Sequence, residues 1–237
     1  MRTVVAGSRA SRLHPSPSGI WWFKGGGARG ILAGVTSRHV DQAAWLSHLP
    51  SGVSLVQGEQ VHGSSLAVVE RPRTTSLSIP GCDALLTRVP GVVLAVRSAD
   101  CTPVVAQDPV RRAIGIAHVG WRGLVAGLPA RLVAAFRHTF GSPPTALRIA
   151  LGPAIRACCY EVSADFKPWA GAFVREQEGR LTCDLIGLVR HQLESAGVRP
   201  ARITDSDLCT ACHTDDWYSV RREGEATSRF VSFIFLR

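Results

Sequence analysis

The centre of the chain consists of short apolar runs separated by turns, and this pattern limits the possible fold more than any other feature. Residues 92–96, 103–106 and 112–118 are rich in valine, isoleucine and alanine. Short continuous apolar runs that are bounded by turn residues predict strands buried inside a sheet. We therefore expect several buried strands in the middle of the chain.

Helices and further strands flank this centre without strict alternation. A helix is predicted at about residues 124–139, although Pro129 indicates that it starts later or is kinked. A second helix is predicted at residues 185–196, with Asp184 as its N-cap and Gly197 as its C-terminal stop. Strands are expected at residues 53–57, 146–151, 198–205 and 230–236. This irregular order predicts an α+β fold built on mixed sheets.

The size of the chain suits one domain, since it has 237 residues of which 46% are hydrophobic. No interior linker divides it, so we expect a single domain at residues 20–237. Residues 1–19 contain three arginines, several serines and no acidic residue. They predict a flexible tail, with an organellar transit peptide as the alternative. No apolar run reaches 18 residues, so a membrane-spanning helix is not expected.

Three short motifs each present one soft or borderline metal ligand: His62 in QVHG, Cys101 in SADC and His118 in AHVG. Two imidazoles and one thiolate make a zinc set with an open fourth position, which is typical of catalytic rather than structural zinc. Each residue taken alone is more often structural, and their spacing matches no local ligand signature. Asp100 stands among small and apolar residues, where a carboxylate normally has a partner.

The formal net charge of +9 comes almost entirely from arginine, since Lys24 and Lys167 are the only lysines. No nucleic-acid motif accompanies this charge, so an arginine-rich composition explains it better than nucleic-acid binding. The cysteine count of seven is odd, and two of the cysteines are adjacent. That usage favours free thiols in a reducing compartment, and we expect a cytoplasmic protein.

Two further motifs leave alternatives open. Cys209-Thr210-Ala211-Cys212-His213 has the pattern of a c-type haem attachment site, but a local structural or weak metal-binding role is favoured because no secretory signal is visible. Arg221, Arg222 and Arg229 flank a turn near the C-terminus. They form either a solvated hairpin or an anion clamp, since arginine guanidinium groups match phosphate oxygens.

Seven stretches together resemble the YfiH-type family, which was once labelled laccase-domain or multicopper polyphenol oxidase. The family is associated with purine nucleoside phosphorolysis, adenosine deamination and peptidoglycan editing. The stretches lie in family order between about residues 58 and 235: GEQVHGSSL, GCDALLTRVPGVVLAVRSADCTPVVAQDP, IGIAHVGWRGLVAGL, IALGPAIRACCYEV, DLIGLVRHQLESAGV, DLCTACH and YSVRREGEATSRFVSFIF.

The resemblance implies a zinc site made by His62, Cys101 and His118 and a four-layer α/β/β/α domain with helices outside two mixed sheets. It also implies catalysis on a small nucleoside together with phosphate. The expected activity is phosphorolysis of adenosine, inosine, guanosine and methylthioadenosine, with adenosine deamination. A water at the open zinc position has its pKa lowered from that of bulk water to about 7, which suits deamination.

Asp100 is the carboxylate that we expect to orient a ligand or carry protons, and four arginines are candidate substrate contacts: Arg38, Arg122, Arg221 and Arg222. The main alternative is an editing hydrolase that acts on peptidoglycan precursors through the same metal. A copper-dependent polyphenol oxidase is less favoured because the chain has 8 histidines and no His-x-His pair, although copper remains possible at the same site. The oligomeric state is left open.

Overall fold

The computed structural model describes residues 13–24, 30–42, 44–71 and 75–237. The strands, in chain order, are β1 (Leu13–Pro15), β2 (Ile20–Phe23), β3 (Ile31–Thr36), β4 (Ser54–Gly58), β5 (Leu66–Val69), β6 (Leu77–Ile79), β7 (Ala84–Thr87), β8 (Val92–Ser98), β9 (Thr102–Asp108), β10 (Ala113–Val119), β11 (Arg148–Leu151), β12 (Val174–Gln177), β13 (Arg180–Cys183), β14 (Ile203–Asp205) and β15 (Phe230–Leu236). The α-helices are α1 (Trp121–Val125), α2 (Leu128–Phe140), α3 (Lys167–Ala170), α4 (Leu185–Ser195) and α5 (Val220–Glu223).

Two large sheets lie face to face in the part of the chain that the structure describes. One has seven strands in the order β1-β2-β3-β15-β8-β4-β6, and the other has six in the order β14-β11-β9-β10-β7-β5. The pairs β4–β8, β4–β6, β5–β7 and β11–β14 are parallel, whereas the remaining neighbours in both sheets are antiparallel. A separate hairpin is formed by β12 and β13. The prediction of a single domain with mixed sheets is confirmed.

The central strands are apolar on both faces because each face meets another layer. In β8, Val92 and Leu94 point into the core between the sheets, while Val93 packs on the outer side of the seven-stranded sheet. In β15, Phe230 and Ile234 contribute to the core between the sheets, whereas Val231 and Phe233 contribute to the core on the outer side. This two-residue periodicity explains why these segments are continuous apolar runs.

Helices α2 and α4 cover the outer face of the six-stranded sheet, where Leu132, Phe136 and Val189 are fully or almost fully buried. The predicted helix at residues 124–139 is divided because Gly127 adopts a left-handed φ of 73° between α1 and α2. Pro129 then lies in the first turn of α2, where its missing N–H costs no hydrogen bond. In α4, the Asp184 side chain accepts a hydrogen bond from Gly187 N, which confirms the predicted N-cap.

Three features of the structure differ from the expectations. Residues 198–205 contain only the short β14, because Pro200 begins a turn of 3-10 helix at Pro200–Arg202. Within the predicted tail at residues 1–19, Leu13–Pro15 pairs with β2, while residues 1–12 lie outside the described residues. On the outer face of the seven-stranded sheet, the described helical cover is the 3-10 turn Trp45–His48.

Between β8 and β9 the chain passes from the seven-stranded sheet to the six-stranded sheet through only three residues, 99–101. The loop after β4 and the C-terminal end of β10 reach the same edge of the sandwich. Within the described ranges, no helix is both long and apolar enough to cross a membrane.

Candidate metal centre

Three segments that are distant in sequence bring His62, Cys101 and His118 together at this edge. His62 lies in the loop after β4, Cys101 in the β8–β9 connection and His118 near the end of β10. One ligand atom from each lies within 4.8 Å of the others, and the two imidazole centroids are 4.9 Å apart. A single ion held by bonds of about 2.0–2.3 Å to nitrogen and sulfur suits such a cluster.

Asp83 organises the cluster through four hydrogen bonds to its fully buried carboxylate. Oδ1 accepts from His62 N at 3.0 Å and pairs with Nδ1 of His118 at 3.0 Å. Oδ2 accepts from the backbone N–H groups of Gly63 at 2.7 Å and Val61 at 3.2 Å. A carboxylate that holds the second ring nitrogen of a metal-binding histidine fixes its tautomer and orientation, leaving Nε2 for the metal.

The charged forms of Asp83, Cys101 and His118 stabilise one another. Burial raises the pKa of the Cys101 thiol, but hydrogen bonds with His118 and His62 lower it by more, to about 6. Burial lowers the pKa of His118, but the Asp83 carboxylate and the Cys101 sulfur raise it to about 9. Burial likewise raises the pKa of Asp83, but the His118 and Gly63 hydrogen bonds leave it below its ordinary value. Cys101 is therefore a thiolate at neutral pH, the form that binds metals.

The cluster is closed on one side and open on the other. His118 is 4% exposed, Cys101 is half-buried and His62 is exposed. All three line a cavity of about 860 Å³. Gly120 makes the close approach possible, because a Cβ at that position would lie 3.0 Å from Cys101 Sγ and 3.3 Å from His62 Cδ2. A metal held here would have one coordination direction facing the cavity, as in catalytic sites.

The backbone of the ligand loops is strained at three residues. Gln60, His62 and Asp100 have φ values of 55°, 58° and 91°, in the left-handed region that non-glycine residues rarely adopt. Side-chain hydrogen bonds hold these conformations: Gln60 exchanges two with the backbone of Arg97, at 2.7 and 2.8 Å. Strain of this kind is retained where the surrounding structure over-determines the conformation, commonly at functional sites.

Four arginines line the cavity: Arg97, Arg122, Arg221 and Arg229. The Arg122 guanidinium stacks 4.4 Å from the ring centroid of Trp121, and that of Arg221 lies 5.1 Å from the centroid of Tyr160. Both aromatic rings also line the cavity. The site therefore combines four guanidinium groups and three carboxylates, those of Glu59, Asp100 and Glu225, with flat apolar walls.

The predicted substrate arginines fall into two groups. Arg122 and Arg221 line the cavity, whereas Arg38 and Arg222 are not among its lining residues. Arg38 forms an ion pair with Glu223 at 2.8 Å and also donates to Thr214 O. Arg222 donates through Nε to Ala211 O at 3.0 Å. These two arginines hold α5 in place beside the cavity.

Asp100 lines the cavity, but its carboxylate forms hydrogen bonds with Thr210 and Arg221 and not with a metal ligand. Oδ1 accepts from the Thr210 hydroxyl at 2.6 Å, and Oδ2 accepts from Arg221 N at 2.8 Å. The carboxylate that orients His118 is Asp83. Sequence reasoning did not single out Arg97 or Tyr160, although Arg97 directly precedes the SADC motif and Tyr160 follows the cysteine pair.

Known proteins are similar to this chain in both sequence and fold. The model of the family described as multi-copper polyphenol oxidoreductase laccase matches residues 27–237. The purine nucleoside phosphorylase YlmD of Geobacillus stearothermophilus is 33% identical over 191 residues, covering 74% of this chain and 70% of that protein. The adenosine deaminase RL5, from an unknown prokaryotic organism, is 32% identical over 196 residues, covering 76% of this chain and 74% of that protein.

Solved structures extend the likeness to almost the whole chain. The crystal structure of Geobacillus stearothermophilus YlmD superposes with a TM-score of 0.86 and 27% identity, covering 96% of this chain and 100% of that one. The crystal structure of Bacillus licheniformis hypothetical protein YfiH gives the same TM-score at 26% identity, with the same coverage. The chain therefore belongs to the laccase-like family that includes YlmD and YfiH.

Proposed function

We propose that this protein is a zinc-dependent purine nucleoside phosphorylase that also deaminates adenosine. The observation that carries the proposal is the open His-Cys-His cluster in a cavity that four arginines also line. A phosphorolytic enzyme must hold an inorganic anion and a flat heterocycle close together, and this cavity offers both kinds of surface. The names of relatives such as YlmD and RL5 support the same reading.

The residues present fit a zinc ion. His62, Cys101 and His118 supply the borderline nitrogen and sulfur donors that zinc prefers, and the buried Asp83 completes the hydrogen-bonded support of His118. Zinc held there would supply Lewis-acid charge at the open side of the cluster. Copper binds similar donors, so the metal identity is part of the proposal and of its test.

The arginines would bind and orient phosphate. Arg122 makes no ion pair among the described residues and touches Trp121 through its cation–π contact, so its five N–H donors remain available to an anion. Arg221 is fixed more firmly, because its Nη1 donates to Glu161 O at 2.9 Å and its backbone N–H donates to Asp100. Phosphate held between them would be presented to C1′ of the ribose with little loss of freedom in the reaction.

The aromatic walls would receive the purine. Tyr160 and Trp121 line the cavity, and Trp121 is itself supported by stacking on Trp169 at a centroid distance of 6.2 Å. In phosphorolysis an oxygen of hydrogen phosphate forms a bond to C1′, the bond from C1′ to the purine nitrogen breaks, and the proton of hydrogen phosphate passes to the departing base. We assign Asp100 to positioning Arg221 and Thr210 and to transferring this proton.

The test is a paired measurement of metal content and nucleoside turnover. Wild type is expected to hold zinc, to release hypoxanthine from inosine only when phosphate is present, and to convert adenosine to inosine without phosphate. Cys101→Ala should lose the bound zinc of this cluster and both activities. Cys183→Ala is the matched control, because Cys183 is a buried thiol outside the cluster.

Two outcomes would contradict the proposal. If zinc binds but neither nucleoside reacts, the nucleoside assignment is wrong and peptidoglycan precursors become the substrates to assay. If the purified protein holds copper and oxidises polyphenols while leaving nucleosides intact, the oxidase interpretation replaces it.

A further inference from the structure

A second cluster of metal-binding side chains lies outside the His-Cys-His site. It consists of Cys158, Cys159, Cys209 and Cys212, whose sulfur atoms all lie within 4.8 Å of one another. The Sγ of Cys212 is 3.3 Å from that of Cys159 and 3.6 Å from that of Cys158. Cys158 and Cys212 are exposed, Cys159 is half-buried and Cys209 is buried, so the cluster opens to solvent on one side.

The pairing of β11 with β14 creates this cluster. The two strands are parallel neighbours, so the loops that follow them leave the sheet at the same edge. The loops remain connected, since Ala154 N donates to Leu208 O at 3.2 Å and Thr210 N donates to Ala154 O at 3.1 Å. One loop then presents adjacent cysteines, and the other presents a C-x-x-C turn.

The C-x-x-C turn is closed by backbone hydrogen bonds. Cys212 N and His213 N both donate to Cys209 O, at 3.2 and 3.1 Å, which closes the turn. The turn holds Cys212 against the adjacent cysteines of the other loop.

Arg222 places positive charge beside the sulfurs, and Arg156 supports the turn that carries two of them. The Nη2 of Arg222 lies 3.9 Å from the Sγ of Cys159. Arg156 packs beneath the C-x-x-C turn, donating to Leu208 O and forming a two-pronged ion pair with Asp205. Four thiolates around a divalent cation carry a net charge of −2, and neighbouring guanidinium groups offset such a charge.

We propose that Cys158, Cys159, Cys209 and Cys212 bind one structural zinc ion through their four thiolates. Tetrahedral zinc with bonds to sulfur of about 2.3 Å places the sulfurs roughly 3.8 Å apart, close to the two separations above. Four protein ligands close the coordination sphere, as in structural sites, whereas the His-Cys-His cluster leaves one position open. The histidine of the C-x-x-C-H motif, His213, is not among the side chains whose ligand atoms meet in this cluster.

The proposed zinc would fix one wall of the neighbouring cavity. Ile155 N, in the first loop, donates to Asp100 O at 2.9 Å, and the Thr210 hydroxyl, in the second, donates to the Asp100 carboxylate. Arg222 joins the cysteine turn to α5 through Ala211 O. Because both loops contact Asp100, clamping them together would restrain this residue and the one that follows it, Cys101.

Metal stoichiometry tests the proposal without reference to activity. Protein purified without chelators and given zinc is analysed for bound metal by mass spectrometry. We expect two zinc ions per chain for wild type and for the control Cys183→Ala, one for Cys212→Ser, one for Cys101→Ala, and none for the double variant. Cys212 is exposed, so Cys212→Ser is expected to fold.

Cobalt substitution supplies a second measurement. Cobalt bound to Cys101→Ala should show sulfur-to-metal charge-transfer bands and the visible spectrum of a tetrahedral four-sulfur site, and Cys212→Ser should lack that spectrum. One zinc per wild-type chain that Cys101→Ala removes entirely would overturn the proposal. So would a disulfide between Cys212 and Cys158 or Cys159 found by peptide mapping under non-reducing conditions. The failure of nucleoside turnover would leave this result unaffected.

Discussion

Replacing Asp83 by asparagine tests the support of the metal cluster most directly. The carboxylate accepts four hydrogen bonds in a fully buried position, three from backbone N–H groups of the His62 loop and one from His118. An amide keeps the shape of the side chain but replaces one acceptor oxygen with a donor NH₂ group. Wherever that group points, at least two donors lose their acceptor and face another donor.

The expected cost follows from these contacts. With the amide nitrogen at the Oδ2 position, Gly63 N and Val61 N lose their bonds while His62 N and His118 keep theirs. Hydrogen bonds to a charged group contribute about 1.5–3 kcal/mol each, so the variant should lose about 3 kcal/mol or more of unfolding free energy. In a chain of this length, that corresponds to a fall in Tm of about 6–12 °C. Loss of such support to a ligand typically weakens metal affinity about 10–100-fold.

The assay combines thermal unfolding of the metal-free protein with a competitive zinc titration. Asp184→Asn is the matched control, because asparagine caps the start of a helix as well as aspartate does and Asp184 lies outside the cluster. The control should leave both Tm and zinc affinity almost unchanged. If Asp83→Asn matched wild type in both measurements, the reasoning that Asp83 positions the ligand loop and His118 would be refuted.

Three further predictions follow from other contacts. Gly120→Ala should weaken zinc binding about 10-fold or more with little change in Tm, because its Cβ would displace Cys101 Sγ while the backbone φ of −91° suits alanine; a zinc titration checks this. Glu223→Gln should lower the free energy of unfolding by about 1 kcal/mol at pH 7 and by less as the pH falls below 4.5, measured by urea unfolding. The Ser219 N–H and Arg38 hold the pKa of Glu223 below its ordinary 4.5, so its contribution is present above that pH and is lost as the pH falls. Arg122→Ala should raise the KM for phosphate about 10-fold or more, as expected for one charge-assisted hydrogen bond, whereas the exposed Arg148→Ala, outside this cavity, should not.

Much of the fold was predictable because it depends on local patterns. Runs buried on both faces are continuously apolar, so β8, β9, β10 and β15 stand out in the sequence. Turn and cap residues such as Asp184 act within a few positions of themselves, and their effects were correctly placed. Short edge strands such as β14 were not correctly placed, because only three residues pair and the residues before them form a 3-10 turn that begins at Pro200.

The support of the metal cluster was not predictable in the same way. Asp100 adjoins Cys101 in sequence and seemed the natural partner of a ligand, yet Asp83 holds His118. The reason is strand register. Ala84 of β7 stands opposite Ala117 of β10 in an antiparallel pair, so Asp83, which precedes Ala84, lies beside His118, which follows Ala117. Register depends on how whole strands pack, and no local motif encodes it.

The sequence by itself determined the donor chemistry, because the ligand types of His62, Cys101 and His118 and the motifs around them are properties of the chain. It also determined which segments must be buried, since apolar periodicity reflects the layers on either side of a strand. Only the tertiary structure decided which polar groups meet. Strand pairing between residues far apart in sequence brings Asp83 to His118, and the cysteines after β11 to those after β14. Such contacts arise from the packing of two sheets, which no single segment contains.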